Sequence, residues 1–324
     1  MKTLAMLLLS ALLWAGTSQA AEKVNFALDW VVLGRHTPFF VTQNKGWFQE
    51  AGLDVRISRG YGGADGIKRL SAGETDLAMV DPTSLIIARS RGAKMKQLTV
   101  FYQRAPFAIY FLKRSGIRTP KDLEGHTIGA PVADANRTIF PAFAQLAGID
   151  PARITWITME AAAKTPSLLA GKVDAVPQFI FDHKDMETRG APLGGTGSFI
   201  YADFGLDVYS NGLVATEETM RKRPDMLRKF IAAVVRGYQF TLDNPDEALS
   251  FFLKSAPELT KEKARAEIDV LPYLVLTDET KARGIGYISE KKLGVTLEMA
   301  VKFFNITSPP PLHEIYTNEL LPRR

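Results

Sequence analysis

The chain has no cysteine, and its four histidines, His36, His126, His183 and His313, stand far apart. Thiolate zinc sites, disulfides and a cysteine nucleophile are excluded, and no histidines share metal-ligand spacing. A Gly-x-Ser-x-Gly elbow is absent, and no helix signal follows the glycine-rich segment 190–198 as a phosphate cradle requires. No catalytic residue, metal ligand or cofactor is therefore assigned. What remains is a set of side chains suited to holding a small molecule. Trp30 closes an apolar run and offers a flat ring for stacking. His36 stands where the next helix starts, as a donor or as a solvent-facing cap. Thr83 and Ser84, within Asp81-Pro82-Thr83-Ser84, present hydroxyls and free N–H groups at a helix start, where they also serve as plain caps. Asn136 and Arg137 open another helix, and a cation there opposes the helix dipole unless an anion offsets it. Arg104 interrupts the apolar stretch 100–112, and burying it unpaired is costly, so it pairs with an aspartate or faces an acidic ligand. Phe179 and Asn211, with Phe181 and Tyr209 nearby, add rings and a carboxamide, although core packing and a simple turn also account for them. The chemistry is non-covalent capture of a small planar or acidic organic molecule.

Those residues need a scaffold. Strands are expected at 24–30, 53–57 and 77–80, and helices at 39–51 and 66–72, the latter two stopped by Gly52 and Gly73. Such alternation implies a parallel sheet covered by helices. The second half echoes the first. Ala51-Gly52-Leu53-Asp54 returns as Ala147-Gly148-Ile149-Asp150, and Ala72-Gly73-Glu74-Thr75-Asp76 returns as Ala170-Gly171-Lys172-Val173-Asp174. Order and spacing are both kept, which predicts two similar α/β lobes. Two β-rich stretches, 98–113 and 199–215, would cross between them. Helices at 224–241, 246–253 and 261–267 would return to the first lobe. Two crossings make a hinge, and ligands in such folds sit outside the carboxyl ends of the strands.

Lys2, the apolar run 4–14 and Ser18-Gln19-Ala20 have the order of a secretory signal peptide, with cleavage expected after Ala20. No later segment is apolar and long enough to span a bilayer, so a soluble periplasmic protein is expected. The net charge of +5 is spread among acids, with one local cluster, Arg221-Lys222-Arg223, so a nucleic-acid partner is not expected.

Leu28-Asp29-Trp30, His36-Thr37-Pro38, Lys45-Gly46-Trp47-Phe48 and Ala51-Gly52-Leu53-Asp54-Val55 together resemble the opening of periplasmic proteins that bind thiamine pyrimidine precursors. That group extends to sulfonate-, taurine- and nitrate-binding proteins. The likeness continues through Asp76-Leu77-Ala78, Thr119-Pro120-Lys121-Asp122-Leu123-Glu124-Gly125, Asp174-Ala175 and Asn244-Pro245, over nearly the whole chain after the leader. One departure is Val31-Val32-Leu33-Gly34-Arg35, a bulkier, basic loop where the pyrimidine binders commonly have Pro-Asn. The resemblance implies a two-lobed periplasmic-binding-protein fold, type II-like, with lobe 1 at 21–105 plus 210–324 and lobe 2 at 106–209. It implies a monomeric, non-enzymatic protein delivering a pyrimidine precursor or an aromatic or organic acid to ABC permease subunits. The alternatives are a thiamine-pyrimidine biosynthetic enzyme on the same fold and a sensory protein that presents its ligand to a receptor.

Overall fold

The computed structural model describes residues 20–322 except Ala133 and Asn305. Apart from Ala20, the expected signal peptide lies outside the described residues. None of the described helices is long and apolar enough to cross a membrane.

Two five-stranded sheets organise the molecule. The first holds β1 (Glu22–Ala27), β2 (Leu53–Ser58), β3 (Leu77–Val80), β4 (Met95–Gln97) and β10 (Gly212–Thr216), in the order β2-β1-β3-β10-β4. The second holds β5 (Phe107–Leu112), β6 (Thr127–Ala130), β7 (Thr155–Thr158), β8 (Ala175–Phe179) and β9 (Thr196–Ile200), in the order β7-β6-β8-β5-β9. Strand β1 pairs in parallel with β2 and β3, just as β6 pairs with β7 and β8. Each parallel trio is extended by an antiparallel neighbour, β10 against β3 and β5 against β8. All four residues of β3 are buried, because helices cover both of its faces.

The helices that place the site are α1 (Thr37–Asn44), α2 (Gly63–Ser71), α3 (Pro82–Ser90), α4 (Ala135–Ala147), α5 (Lys164–Leu169), α6 (Pro224–Asp243), α7 (Pro245–Ser255), α8 (Lys261–Ile268) and α9 (Glu290–Phe303). Helix α6 buries Leu227, Phe230, Ile231, Val234 and Tyr238, the spacing of one helical face. Phe230 meets Phe26 edge-on at 5.2 Å and stacks on Phe48 at 5.2 Å, which docks the C-terminal helices on the first sheet as expected.

The repeated motifs have one structural meaning in both lobes. Gly52 and Gly148 end helical turns with φ of 74° and 70°, and Gly73 and Gly171 do so with 69° and 68°. The aspartates that close the longer motif perform the same task. The backbone N–H of Asn25 donates to Asp76 at 2.8 Å, and that of Thr127 donates to Asp174 at 2.8 Å. Each carboxylate ties the entry to the third parallel strand of its lobe to the first.

Three expectations are corrected. The helix expected at 39–51 is broken into Thr37–Asn44 and Trp47–Glu50, because Gly46 takes φ 77°, outside the helical region. The first strand ends at Ala27, three residues before Trp30. The crossings are not continuous strands: β5 begins only at Phe107, and irregular backbone separates Ile200 from Gly212. The two crossings are instead tied to each other. Phe101 and Tyr102 donate their N–H groups to the Asn211 carbonyl at 3.0 Å, and Ser210 donates to the Tyr102 carbonyl at 3.0 Å.

Strand β4 runs parallel to β3, so the chain leaves the first sheet at its carboxyl edge. It enters β5 at the carboxyl end of β8, where Phe107 pairs with Phe179. It returns from the end of β9, beside Ala108, to the start of β10, beside Val80. Both crossings thus join carboxyl edge to carboxyl edge, and those two edges face each other across the interlobe cleft.

The interlobe cleft as candidate binding site

On the first lobe, the loops after β1, β2 and β3 meet at the carboxyl edge. Gly60 and Gly62 donate to the carbonyls of Trp30 and Asp29 at 3.1 and 2.7 Å, pinning the second loop to the first. Trp30 and Tyr61 project from them, 46% and 63% exposed. The third loop leads into α3, where Asp81 is the N-cap. Ser84 donates its N–H to one Asp81 oxygen at 2.8 Å and its hydroxyl to the other at 2.6 Å. Thr83 lies beside them in the first turn and is half-buried.

Behind Trp30 lies a buried ionic lock. His36 is fully buried, accepting the Leu33 N–H at Nδ1 (3.1 Å) and donating from Nε2 to Asp29 at 2.6 Å. With Nδ1 taken by the Leu33 N–H, Nε2 is the nitrogen that donates to Asp29. Arg35 lies 3.5 Å from the same carboxylate and 3.7 Å from Glu267 on α8, which also accepts the Arg35 backbone N–H at 3.1 Å. Burial by itself would raise the Asp29 pKa, but His36 and Arg35 outweigh it and hold the group below the ordinary carboxylate range. Gly34 permits the docking of α8, since a Cβ there would sit 2.3 Å from the Ala264 carbonyl oxygen. His36 therefore offers nothing to a ligand, because both ring nitrogens are spent inside the protein.

On the second lobe, the loop after β6 carries Val132, 69% exposed, and β8 ends on Phe179, 39% exposed and tilted 6.0 Å from Phe107. Trp30, Tyr61, Val132 and Phe179 are four of the eight exposed large apolar side chains among the described residues. Here α4 is capped by Asp134, which accepts the Arg137 N–H at 3.1 Å and the buried Lys164 ammonium at 2.8 Å. Asn136 is buried and accepts the Ala108 N–H at 3.2 Å, joining α4 to the first crossing strand. The Arg137 guanidinium lies over the Trp156 ring at 4.7 Å and donates to the Ala130 carbonyl and the Thr158 hydroxyl at 3.1 and 3.3 Å.

The lobes touch where Arg35 lies over the Phe181 ring at 5.0 Å and Tyr102 stands 6.0 Å from it. Asp182 follows Phe181, and its pKa is raised, first by burial and then by Glu267 across the interface. Asn211 directly precedes β10, whose Gly212 pairs with Val80, and accepts the Ser210 hydroxyl at 2.8 Å.

Of the residues singled out from sequence, the fold brings Trp30, Thr83, Ser84, Phe179 and Asn211 to the two facing edges. Arg104 is drawn away. Its guanidinium donates to the carbonyls of Tyr273 and Leu276 at 2.5 and 3.3 Å and lies 4.9 Å from the Tyr273 ring, stapling the first crossing to the C-terminal region. Sequence reasoning passed over Tyr61, Lys164, Glu267 and a regular feature. An aspartate follows each of β1, β3, β6 and β8, namely Asp29, Asp81, Asp134 and Asp182. That pattern of an apolar run followed by Asp was legible. The pairing of Glu267 with Arg35, over 230 residues of chain, was not.

The profile of the family described as "NMT1/THI5 like" matches residues 34–248, more than half of the chain. The chain belongs to the NMT1/THI5-like family. Within reach of this family it is 24% identical to the riboflavin-binding protein RibY of Chloroflexus aurantiacus, over 93% of this chain and 86% of that one. It is 28% identical to the formylaminopyrimidine-binding protein of Halalkalibacterium halodurans, over 75% and 74% of the two chains. It is also 23% identical to the 4-amino-5-hydroxymethyl-2-methylpyrimidine phosphate synthase THI13 of Saccharomyces cerevisiae, over 93% and 88%. Among solved structures, the periplasmic aliphatic sulphonate binding protein SsuA of Escherichia coli superposes with a TM-score of 0.73 at 14% identity, covering 92% of this chain and 99% of that one. The fold is accordingly the two-lobed one of periplasmic binding proteins. These relatives include both binding proteins and a synthase. Among the described residues, no three His, Asp or Glu side chains converge as a metal-binding group.

Proposed function

We propose that this protein captures a small planar organic molecule in the interlobe cleft and delivers it, as the periplasmic component of an ABC importer, to permease subunits in the inner membrane. The observation that carries this reading is the exposure of Trp30 and Tyr61 on one carboxyl edge and of Phe179 on the edge that faces it. A soluble protein leaves rings of that size in water at a cleft where a partner covers them. A flat ring held between Trp30 and Phe179 would be stacked on both faces, and Asn211 and Thr83 lie at the same edges to supply hydrogen bonds. The riboflavin- and formylaminopyrimidine-binding relatives support a planar heteroaromatic solute. Lobe boundaries at 105/106 and 209/210 fit this scheme, since both fall in the tied crossings, where a hinge closes the lobes on the solute. The reading includes a cleavable leader ending at Ala20 and a monomeric protein acting without catalysis.

The test is a thermal-shift screen of the purified protein, unfolded and refolded to strip any carried solute. The panel holds riboflavin, aminopyrimidines, aromatic carboxylates, alkanesulfonates and nitrate. A binder of the folded state raises the midpoint by mass action. A shift with a flat heteroaromatic that Trp30→Ala and Phe179→Ala each weaken at least about tenfold supports the assignment. Turnover of the bound compound would transfer the protein to the synthase branch of the family.

A further inference from the structure

We infer that the cleft selects planar solutes presenting hydrogen-bond donors or positive charge, rejects anionic ones, and uses Asp81 as the residue that sets this preference. The inference rests on the cleft being the binding site, as proposed above.

In a fold of this kind an anionic solute is held by free N–H groups at helix N-termini or by unspent cations. At the facing edges both are largely offset by carboxylates. The N-termini of α3 and α4 follow β3 and β6 at the facing edges, and each is closed by its own carboxylate; α2, which follows β2 and has no side-chain cap, starts at Gly63 against the Asp81 carboxylate, where a Cβ would lie 2.7 Å from Asp81 Oδ2. Asp81 takes the Ser84 N–H and hydroxyl, and Asp134 takes the Arg137 N–H. The cations are also committed. Arg35 is shared by Asp29 and Glu267, Lys164 is held by Asp134 and the Pro177 carbonyl, and Arg137 lies on Trp156.

Charges at the two edges are out of balance. The carboxylates are Asp29, Asp81, Asp134 and Asp182 from the strand ends, with Glu267 from α8. Against them stand Arg35 and Lys164. The rim adds Arg59 over the Tyr61 ring at 4.5 Å, Arg137, Asp65 and Glu160, which cancel among themselves. A chain with net charge +5 thus presents an acidic cleft. Asp29 and Asp134 are satisfied by cations within it. Among the described residues the Asp81 carboxylate hydrogen-bonds only to Ser84, a neutral partner, with Gly63 packed beside it, and it stands just after the central strand β3 within the first-lobe edge that carries Trp30. Asp182, the other carboxylate with no cation bonded to it, lies next to Phe181 where the lobes meet, so on the edge that carries Trp30 the Asp81 carboxylate is the one that a solute's N–H groups can complete, since each carboxylate oxygen accepts more than one hydrogen bond. The Coulomb energy of a unit charge beside it at protein dielectric is large enough to separate cation from anion by well over tenfold.

The experiment uses three probes of one shape and different charge: benzamidine, benzamide and benzoate. Their dissociation constants are measured by ligand-observed NMR on the refolded protein and on Asp81→Asn, Trp30→Ala and Phe179→Ala. Asn caps a helix as well as Asp does, so Asp81→Asn removes the charge and keeps α3, which a circular dichroism melt checks. Benzamidinium is expected to bind at least about tenfold tighter than benzoate, and Asp81→Asn to shrink that ratio at least about threefold. Benzoate binding as tightly as benzamidinium overturns the charge preference. An unchanged ratio in Asp81→Asn overturns the role of Asp81. Binding of all three that Trp30→Ala and Phe179→Ala leave untouched, or no binding by any, overturns instead the cleft reading on which the inference stands.

Discussion

The two lobes share one plan and differ in how each holds its cleft edge. Both carry a parallel trio in the same order, β2-β1-β3 and β7-β6-β8, with an aspartate clamping the first strand to the turn before the third. In lobe 1 that clamp has a second partner, because Arg223 bonds Asp76 and the Glu22 carboxylate. In lobe 2 the Thr127 hydroxyl donates to Asp174 at 2.7 Å in place of a cation. At the cleft the contrast is sharper. The first lobe fixes the loop behind Trp30 with a buried lock of His36, Asp29, Arg35 and Glu267, whereas the second relies on one ion pair, Lys164 with Asp134. A repeated backbone plan therefore leaves side chains free to specialise. One edge is a platform tied to the C-terminal helices by several ionic contacts, and the other is held by fewer.

The largest expected effect breaks that platform. Asp29→Ala leaves Arg35 with Glu267 alone and a buried imidazole without its acceptor, and is expected to cost about 3 kcal/mol in chemical denaturation, the low end for breaking a buried pair from one side. Asp29 also gives the platform an acid limit. Its folded pKa is depressed, so its contribution is present above the unfolded carboxylate value and is lost as pH falls through the folded one. Melting temperature plotted against pH should drop on the acid side in the wild type, and the drop should be shallower in Asp29→Asn.

Next in size are the rings. Trp30→Ala and Phe179→Ala are each expected to weaken a stacked solute by about 1–3 kcal/mol in calorimetry while lowering the melting temperature of the free protein only modestly, since both side chains are already partly in water. A loss confined to one of them would mean that a single edge binds and the other merely closes.

The strand clamps test whether the repeat is energetic as well as geometric. Asp76→Ala and Asp174→Ala are each expected to cost about 1–3 kcal/mol, the penalty of leaving a backbone N–H without its acceptor. Asp76→Ala should be the costlier, because Arg223 also loses a partner. Equal losses would show that the Arg223 contacts contribute nothing measurable, as holds for many exposed ion pairs.

The smallest effect lies where the lobes meet. Burial and Glu267 raise the Asp182 pKa, so the folded state holds its proton to higher pH than the unfolded chain does. Stability is therefore withheld as pH rises above the unfolded carboxylate value, and nothing is withheld below it. Asp182→Asn is expected to raise stability at pH 7 by less than about 1 kcal/mol, with the gain vanishing on acidification. A gain that persists at low pH would point to packing and not to charge.

The sequence by itself determined the alternation of strands and helices, the two-lobe plan and the edges on which Trp30, Thr83, Ser84, Phe179 and Asn211 would sit. These follow from local signals: apolar runs of strand length, glycines that must turn left-handed, and motifs recurring at a fixed offset. It did not determine the fate of charges. His36 and Arg104 looked available because their partners are hidden in the fold, the imidazole turned onto Asp29 and the guanidinium onto carbonyls of Tyr273 and Leu276. Whether a polar group is spent or free depends on what long-range packing sets within about 3 Å of it, and spacing along the chain does not encode that distance. Only the tertiary structure gathered the acids of four strand ends at facing edges and committed Arg35 and Lys164 to them.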